Sequence, residues 1–508
     1  MCLGYICRFA SSARRLARES KGDGTPLGLT PPTHDRAYGS LMASPFTALA
    51  IDFALALLLV PQVHAERPMN VLFIIADDLR PELGCYGTDE IISPHIDRLA
   101  EKGMLFHNAY SQYPVCNPSR ASFLTGLRPD QTGVYSNELR FREAMPDIIS
   151  QPQLFRQNGY HTAGIGKVFH MGEDEDGEPM LFHDPLSWDY FFDSLGKAPR
   201  IGRTGEGRNL TDGRLRWCEW LAAEGGDDAQ PDGINTNAAL RVIEERHEKP
   251  FFLALGLHKP HDPFIAPKEY FELYPEGSTK LPVEPEDRSP QVRYAIPNTG
   301  DFDEFTDQER REFKRAYQAC VSFIDAQIGK IFAAMDRHGL WENTIVILIG
   351  DHGYHLGEHG WWNKATVYEF GSRAPMIAWF PGANGMGRPT RAIVEFIDLY
   401  PTIIDYAGLE PPHEFAGISL RPVLENPAHP GKQAAYSQVN RGQLVGRSVR
   451  TQRWRYTVWG PDGRRGIELY DHQTDQGEYH NLAEDPDHAT TREQLAELLA
   501  AGFPANEP

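Results

Sequence analysis

Two apolar runs of this chain end in acidic residues. Residues 71–76 (VLFIIA) lead into Asp77 and Asp78, and residues 344–349 (TIVILI) lead through Gly350 into Asp351 and His352. Carboxylates crowded at the end of a buried strand repel one another unless a cation neutralises them. A turn or a helix cap accounts for either pair alone; two such pairs at one edge of a sheet offer the oxygen ligands that a hard divalent ion, Ca²⁺ or Mg²⁺, requires. His352 is the odd member, since imidazole suits Zn²⁺ or Mn²⁺ better. The third reactive group is Cys116, within Pro114-Val115-Cys116-Asn117-Pro118-Ser119-Arg120. Pro118 and the periodic residues after Ser119 place the thiol at or just before a helix N-terminus, where free N–H groups and the macrodipole stabilise an anion. From the residues alone Cys116 is either a thiolate nucleophile or a plain buried thiol.

The segment from Cys116 to Arg120 reads C-x-P-S-R, and it resembles the signature of the type I sulfatases, whose cysteine is converted to formylglycine (3-oxoalanine). Four more segments, in the same order, resemble the iduronate 2-sulfatase branch of that family. They are Asp77-Asp78-Leu79-Arg80-Pro81-Glu82-Leu83-Gly84-Cys85-Tyr86-Gly87, then Gly166-Lys167-Val168-Phe169-His170, then His258-Lys259-Pro260-His261, and finally Asp351-His352-Gly353 with Gly357-Glu358-His359-Gly360. The likeness runs from about residue 70 into the C-terminal part, where Arg455-Tyr456-Thr457-Val458-Trp459 and Glu468-Leu469-Tyr470 echo it.

The resemblance implies an alkaline-phosphatase-like α/β fold, with a central, mostly parallel sheet flanked by helices and a small C-terminal α+β subdomain. It implies that Asp77, Asp78, Asp351 and His352 hold a divalent metal, Ca²⁺ before Mg²⁺ or Mn²⁺, with residue 116 completing the sphere through an oxygen. Hydrated formylglycine presents two hydroxyls: one attacks sulfur in line, the alcohol leaves, and the other expels the sulfate, a step that a serine could not perform. Arg120 would fix the diol, while Lys167, Lys364 and His261 clamp the sulfonyl oxygens. His261 or Lys364 would protonate the leaving alcohol, and His170 would take the proton that triggers sulfate release. The implied substrate is a sulfated saccharide, iduronate-2-sulfate or a related sulfated uronic acid, and the implied maturation partner is a formylglycine-generating enzyme. Choline-sulfatase chemistry, phosphonate or phosphate monoester hydrolysis on the same core, and a non-catalytic glycan-binding scaffold are the alternatives.

These residues need a frame. Strands buried on both faces are expected at 71–76, 251–257, 344–349 and 376–380, and helices at 97–102, 119–125, 236–247 and 306–338, the pattern of a largely parallel sheet covered by helices. Ligands of such sheets collect at the carboxyl ends of the strands. Residues 274–301, rich in Pro, Glu and Gly, read as a long surface loop over the site. After a break at 427–432 the texture changes: 448–459 alternates like one antiparallel strand, 466–471 is another, and 490–501 is a helix. The catalytic part is thus expected over 66–432 and the C-terminal subdomain over 433–508. His258, His355 and His359 are given no catalytic role. Trp188, Trp217 and Trp220 are read as core packing before sugar stacking, and Asn209-Leu210-Thr211 is a glycosylation acceptor only in a eukaryotic secretory host.

Of 508 residues, 50 are Lys or Arg and 70 are Asp or Glu, a net charge of -20; hydrophobic residues make up 41%. That balance excludes a disordered chain and a general nucleic-acid binder, and disfavours sliding along long polyanions relative to capture of a chain end. Residues 46–60 (FTALAIDFALALLLV), broken by Asp52, are too short to span a bilayer and read as a signal-peptide core, with cleavage after Val63-His64-Ala65. The leader is therefore expected over 42–65, starting at Met42, with 1–41 a spurious extension and an exported mature chain that has no membrane anchor. The sparse cysteines, Cys85, Cys116, Cys218 and Cys320 in the folded part, imply no disulfide framework. Oligomeric state is not encoded in any of these features.

Overall fold

Runs buried on both faces make the centre of the molecule. Asn70–Asp77 (β1), Met104–Tyr110 (β2), His161–Gly166 (β3), Tyr190–Phe192 (β4), Phe251–Pro260 (β5), Thr344–Gly350 (β6), Met376–Trp379 (β7) and Thr390–Glu395 (β8) form one sheet in the order β8-β2-β7-β6-β1-β5-β3-β4. The computed structural model describes residues 68–173, 179–195, 202–245, 249–297 and 300–503; the expected leader, 1–41 and 42–65, lies outside them. Neighbouring strands pair in parallel except β7, which is antiparallel to both β6 and β2. The sheet is thus the mostly parallel one expected. Every residue of β1 and β6 is buried, and fully burying each Ile, Leu or Phe stabilises by about 1.5–3 kcal/mol.

Helices cover both faces, among them Pro94–Lys102 (α1), Cys116–Thr125 (α2), Pro231–Glu244 (α3) and Asp307–His338 (α4). On one face Phe313, Tyr317, Ile324 and Ile328 of α4 join a core with Leu72, Ile74, Leu253, Leu255, Val346 and Leu348. On the other, Phe123 and Leu124 of α2 meet Phe73, Ile75, Phe252 and Ile347. The start of α4 is set by a capping box in which Thr306 and Glu309 each accept from the other's backbone N–H, and its end by Gly339 in the left-handed region, φ 63°.

A second sheet of four antiparallel strands follows, Ala435–Arg441 (β9), Leu444–Arg450 (β10), Trp454–Trp459 (β11) and Ile467–Asp471 (β12), with Ala489–Gly502 (α5) packed on it through Leu495 and Leu499. The single strand expected over 448–459 is a hairpin. Thr451 turns the chain, its N–H donating to Trp454 O at 2.8 Å and its hydroxyl accepting from Trp454 N at 3.0 Å. The seam between the two sheets is ionic: buried Glu369 accepts from Arg450 at 3.1 Å and Arg455 at 2.6 Å, and Arg455 also pairs with Glu478. The described part of 274–301 holds no helix or strand. It bridges to the C-terminal sheet, with Ser289 N–H on Tyr479 O at 2.9 Å and Arg441 on Tyr294 O at 3.2 Å.

Candidate active site

The carboxyl ends of four adjacent strands deliver the chemistry. In the sheet order β6-β1-β5-β3 they lead into Asp351-His352, Asp77-Asp78, His258–His261 and Lys167. Gly256 in β5 permits this crowding, since a Cβ there would lie 2.1 Å from the Lys167 carbonyl carbon and oxygen. Cys116 enters from the side as the first residue of α2, with Val115 in extended backbone before it. Its Sγ is fully buried, 2.9 Å from Lys364 Nζ and 3.4 Å from His352 Nε2. Burial, and after it the charge of Asp77, pushes the thiol well above its ordinary range. Burial thus opposes the thiolate form of an unmodified Cys116.

Around it the charges interlock. Arg120, fully buried, donates from Nη2 to Asp77 Oδ1 at 3.1 Å and from Nε to Asp351 Oδ2 at 3.0 Å, and its Nη1 meets the carbonyls of Lys167 and Val168. Lys167 Nζ pairs with Asp77 Oδ2, and Lys364 Nζ with Asp78 Oδ1 at 2.6 Å. Burial opposes ionisation of Asp77, yet Lys167, His261 and Arg120 hold it well below the usual carboxylate range; burial raises Asp78, and the adjacent Asp77 adds to the rise. Lys364 is held well above the ordinary lysine value: burial works against its charge, and Asp78 outweighs burial.

Two imidazoles have their tautomers fixed by geometry. His352 Nδ1 lies 2.8 Å from Gly353 O, and His261 Nδ1 lies 2.6 Å from Asp262 O. A carbonyl only accepts, so each Nδ1 carries a proton, and in the neutral tautomer that this fixes Nε2 is bare. The bare His352 Nε2 faces Asp78 Oδ1 at 3.3 Å and Asp351 Oδ1 at 3.7 Å; that of His261 faces Asp78 Oδ2 at 3.8 Å. Asp78 Oδ2 is buried and has no hydrogen-bond partner. Lone pairs directed at lone pairs, one of them on an orphaned oxygen, fit a cation. Asp77, Asp78 and Asp351 bring their oxygens within 4.8 Å of one another, the donor set of a hard divalent ion.

The structure brings all the residues singled out from the sequence to one place. Asp77, Lys167, His170 and His261 line a cavity of about 410 Å³ beside Cys116. His170 is held well below its ordinary value by burial and by Lys167, so it is a neutral proton acceptor; His261 is lowered by burial and Lys364. Lys259 of the His258–His261 motif also lines it, and other groups of this cavity carried no sequence signal: Asn137, Arg203 and Asp262. Nor did the frame behind it. Asp232 accepts from the backbone N–H of His258 and Lys259 at 2.8 and 2.9 Å, and His258 Nε2 lies 3.1 Å from Asp193, which Asn235 also binds. His359 stacks on Tyr368 with centroids 4.2 Å apart, and His355 bonds Thr366 at 2.7 Å; both are packing residues. Trp188 is buried, Trp217 packs on Phe302 and Trp220 on Phe271. The Asn209 amide nitrogen is turned inward onto Leu215 O at 2.7 Å. The loop 274–301 lines a neighbouring cleft with His359 and Trp361, not this cavity.

The sequence model of the Sulfatase family matches residues 69–409, the whole of this site. The chain belongs to the sulfatase family. The model of the N-sulphoglucosamine sulphohydrolase C-terminal region matches residues 357–502 of this sulfatase. Iduronate 2-sulfatase of Mus musculus is 32% identical, over 87% of this chain and 96% of its own. Among solved structures, a protein in complex with its substrate D-glucosamine-2-N,6-O-disulfate superposes with a TM-score of 0.68 at 24% identity, over 87% of this chain and 99% of that one. The phosphonate monoester hydrolase of Agrobacterium radiobacter gives 0.71 at 20% identity, over 85% and 95%. These likenesses place the protein among the sulfuric ester hydrolases of alkaline-phosphatase-like fold, with the motifs of a type I sulfatase. No helix among the described residues is long and apolar enough to cross a membrane.

Proposed function

We propose that this sulfatase is exported and removes the 2-sulfate of iduronate, or of a related sulfated uronic acid, with formylglycine at position 116 and a divalent ion, Ca²⁺ in the first instance. One observation carries the reading: Cys116 lies buried at a helix N-terminus among three carboxylates, the Nε2 of His352 and the ammonium of Lys364. Asp77, Asp78, Asp351 and His352 would hold the ion, which supplies positive charge opposite the sulfonyl oxygens and lowers the pKa of a hydroxyl beside it. A hydrated formylglycine, made by a formylglycine-generating enzyme, supplies one hydroxyl for attack and another for sulfate release.

The chain's own residues do the rest. Lys167 and Lys364 present ammonium groups to the sulfonyl oxygens, and Arg120 ties Asp77 to Asp351 so that neither turns away. Of the two candidate acids, Lys364 is the one that carries a proton to give, because neutral His261 spends its only N–H on Asp262 O. His170, kept neutral, accepts a proton. Arg203 at the rim has, among the described residues, only a loose partner, Glu219 at 3.9 Å, and offers a uronate carboxylate a guanidinium.

The test is sulfate release from a panel of defined sulfated disaccharides, with Cys116→Ala expected to abolish it; full residual activity would remove residue 116 from the mechanism. Mass spectrometry of the peptide holding residue 116 should show a loss of about 18 Da relative to cysteine, the stoichiometry of conversion to the aldehyde. A phosphate or phosphonate monoesterase is distinguished by rates on aryl sulfate and aryl phosphate, and a large preference for phosphate would overturn the reading.

A further inference from the structure

A second cavity, of about 450 Å³, runs along the seam between the main and C-terminal sheets and shares no lining residue with the catalytic one. Its walls carry Arg373, Arg391 and Arg450 against a single carboxylate, Glu369. That carboxylate is already committed to Arg450 at 3.1 Å and Arg455 at 2.6 Å, and the other seam carboxylate, Glu478, to Arg455 and His472. Arg373 shares Glu369 loosely: its Nε stands 3.5 Å from that carboxylate and makes no hydrogen bond, while its Nη1 donates to His107 O at 3.3 Å. Arg391 has no carboxylate within ion-pair distance among the described residues, and its side chain is exposed. Partial burial, then Arg391 and Arg373, hold the imidazole of His107 on the same wall below its ordinary value. On a chain of net charge -20, this seam sets four guanidinium groups, Arg373, Arg391, Arg450 and Arg455, against two carboxylates, Glu369 and Glu478.

Its other groups suit a sugar. The exposed amides of Gln452 and Gln476 and the rings of Tyr86 and Phe370 line it, and its volume is within the range of about 300–1,000 Å³ that small-molecule sites occupy. Planar guanidinium groups match the paired oxygens of carboxylate and sulfate. We propose that the seam cavity is a second, non-catalytic site that binds a sulfate or carboxylate group of an acidic saccharide. The saccharide rests on the activity proposed above; the anion site rests on the charge and geometry of the seam alone.

Calorimetric titration of the Cys116→Ala protein, which does not consume its ligand, with a 2-sulfated uronate-containing tetrasaccharide tests it. An event sensitive to Arg391→Gln is expected, its affinity falling at least tenfold in that variant and weakening with salt. Arg391 touches no catalytic group, so Arg391→Gln in the Cys116 protein should leave aryl sulfate turnover within about twofold, by the usual mildness of surface substitutions. Inorganic sulfate is titrated separately. It should bind the seam far more weakly than the tetrasaccharide, and equal affinity would make the occupant free sulfate and overturn the saccharide assignment. Titration curves identical with and without Arg391→Gln would overturn the site itself. Failure of the wild-type enzyme to release sulfate from uronate sulfates would instead count against the proposed substrate and leave the titration result standing.

Discussion

Lys364 and His261 show how one hydrogen bond assigns a role. His261 gives its proton to a backbone carbonyl and keeps a lone pair toward Asp78, whereas Lys364 is held charged by Asp78. Lys364→Gln should therefore lower kcat on a sugar sulfate by about 10²- to 10⁴-fold, the usual reach of general acid catalysis. The loss on 4-nitrophenyl sulfate should be much smaller, because that leaving group needs no proton; equal losses on the two substrates would reduce Lys364 to a sulfate clamp. Arg120→Gln would leave Asp77 and Asp351 buried with less compensation, a class of change that costs about 3–5 kcal/mol, read as a lower urea midpoint. Cys116 and the acidic pairs were legible in the sequence because each stands where an apolar run or a helix begins or ends, and Arg120 through its place in the C-x-P-S-R signature. Asp193, Asp232 and Asn235 were not. They act on His258 from 65, 26 and, through Asp193, 42 residues away, distances that no local pattern encodes.

At the scale of elements, the site exists because β3 and β5 approach closely enough for Lys167 to pack over Gly256. Gly256→Ala forces a methyl into the Lys167 backbone; such overpacking costs about 1–3 kcal/mol, and it should displace the ammonium from Asp77. The expected outcome is a fall of at least tenfold in kcat/KM with a lowered melting temperature, and a melting change with unaltered kinetics would show that Lys167 tolerates the shift. The four strands anticipated from the sequence are the ones whose residues are nearly all apolar. Of the other four, β4 is aromatic but only three residues long, and β2, β3 and β8 are broken runs: β2 by His107 and Asn108, β3 by His161, Thr162 and its glycines, and β8 by Thr390 and Arg391. The hairpin at Thr451 was missed although the alternation changes phase there, Val449 being followed by Trp454, Tyr456 and Val458, because Thr451-Gln452-Arg453 holds no Gly, Pro, Asn or Asp to mark a turn.

The whole molecule carries buried ion networks beside its apolar core. Burial disfavours charge on Glu358, Glu395 and Glu478, but Arg80, Arg128 with Lys432, and Arg455 hold each carboxyl at about 2 against an ordinary 4.5. Their contribution is complete above the unfolded value and is lost as pH falls from about 4.5 toward 2. Asp325, raised to about 7 by burial, works oppositely and weakens the fold as pH rises from about 4 to 7. Melting temperatures should thus peak at about pH 5 and drop steeply below 4; a flat profile down to pH 3 would deny these networks their role. Arg203→Gln should raise KM for a 2-sulfated uronate about tenfold, the value of one exposed charge-assisted contact, and leave KM for its carboxyl-reduced analogue unchanged. The strand order also has a consequence in time. β1 is made first, but β6, its neighbour on one side, is among the last strands of the main sheet to be made, and 236 residues separate Cys116 from His352. At chain-growth rates of about 5–20 residues per second, the thiol that ends fully enclosed stays open to the cell for roughly ten to fifty seconds after it is synthesised, and any enzyme that alters it has that interval in which to act.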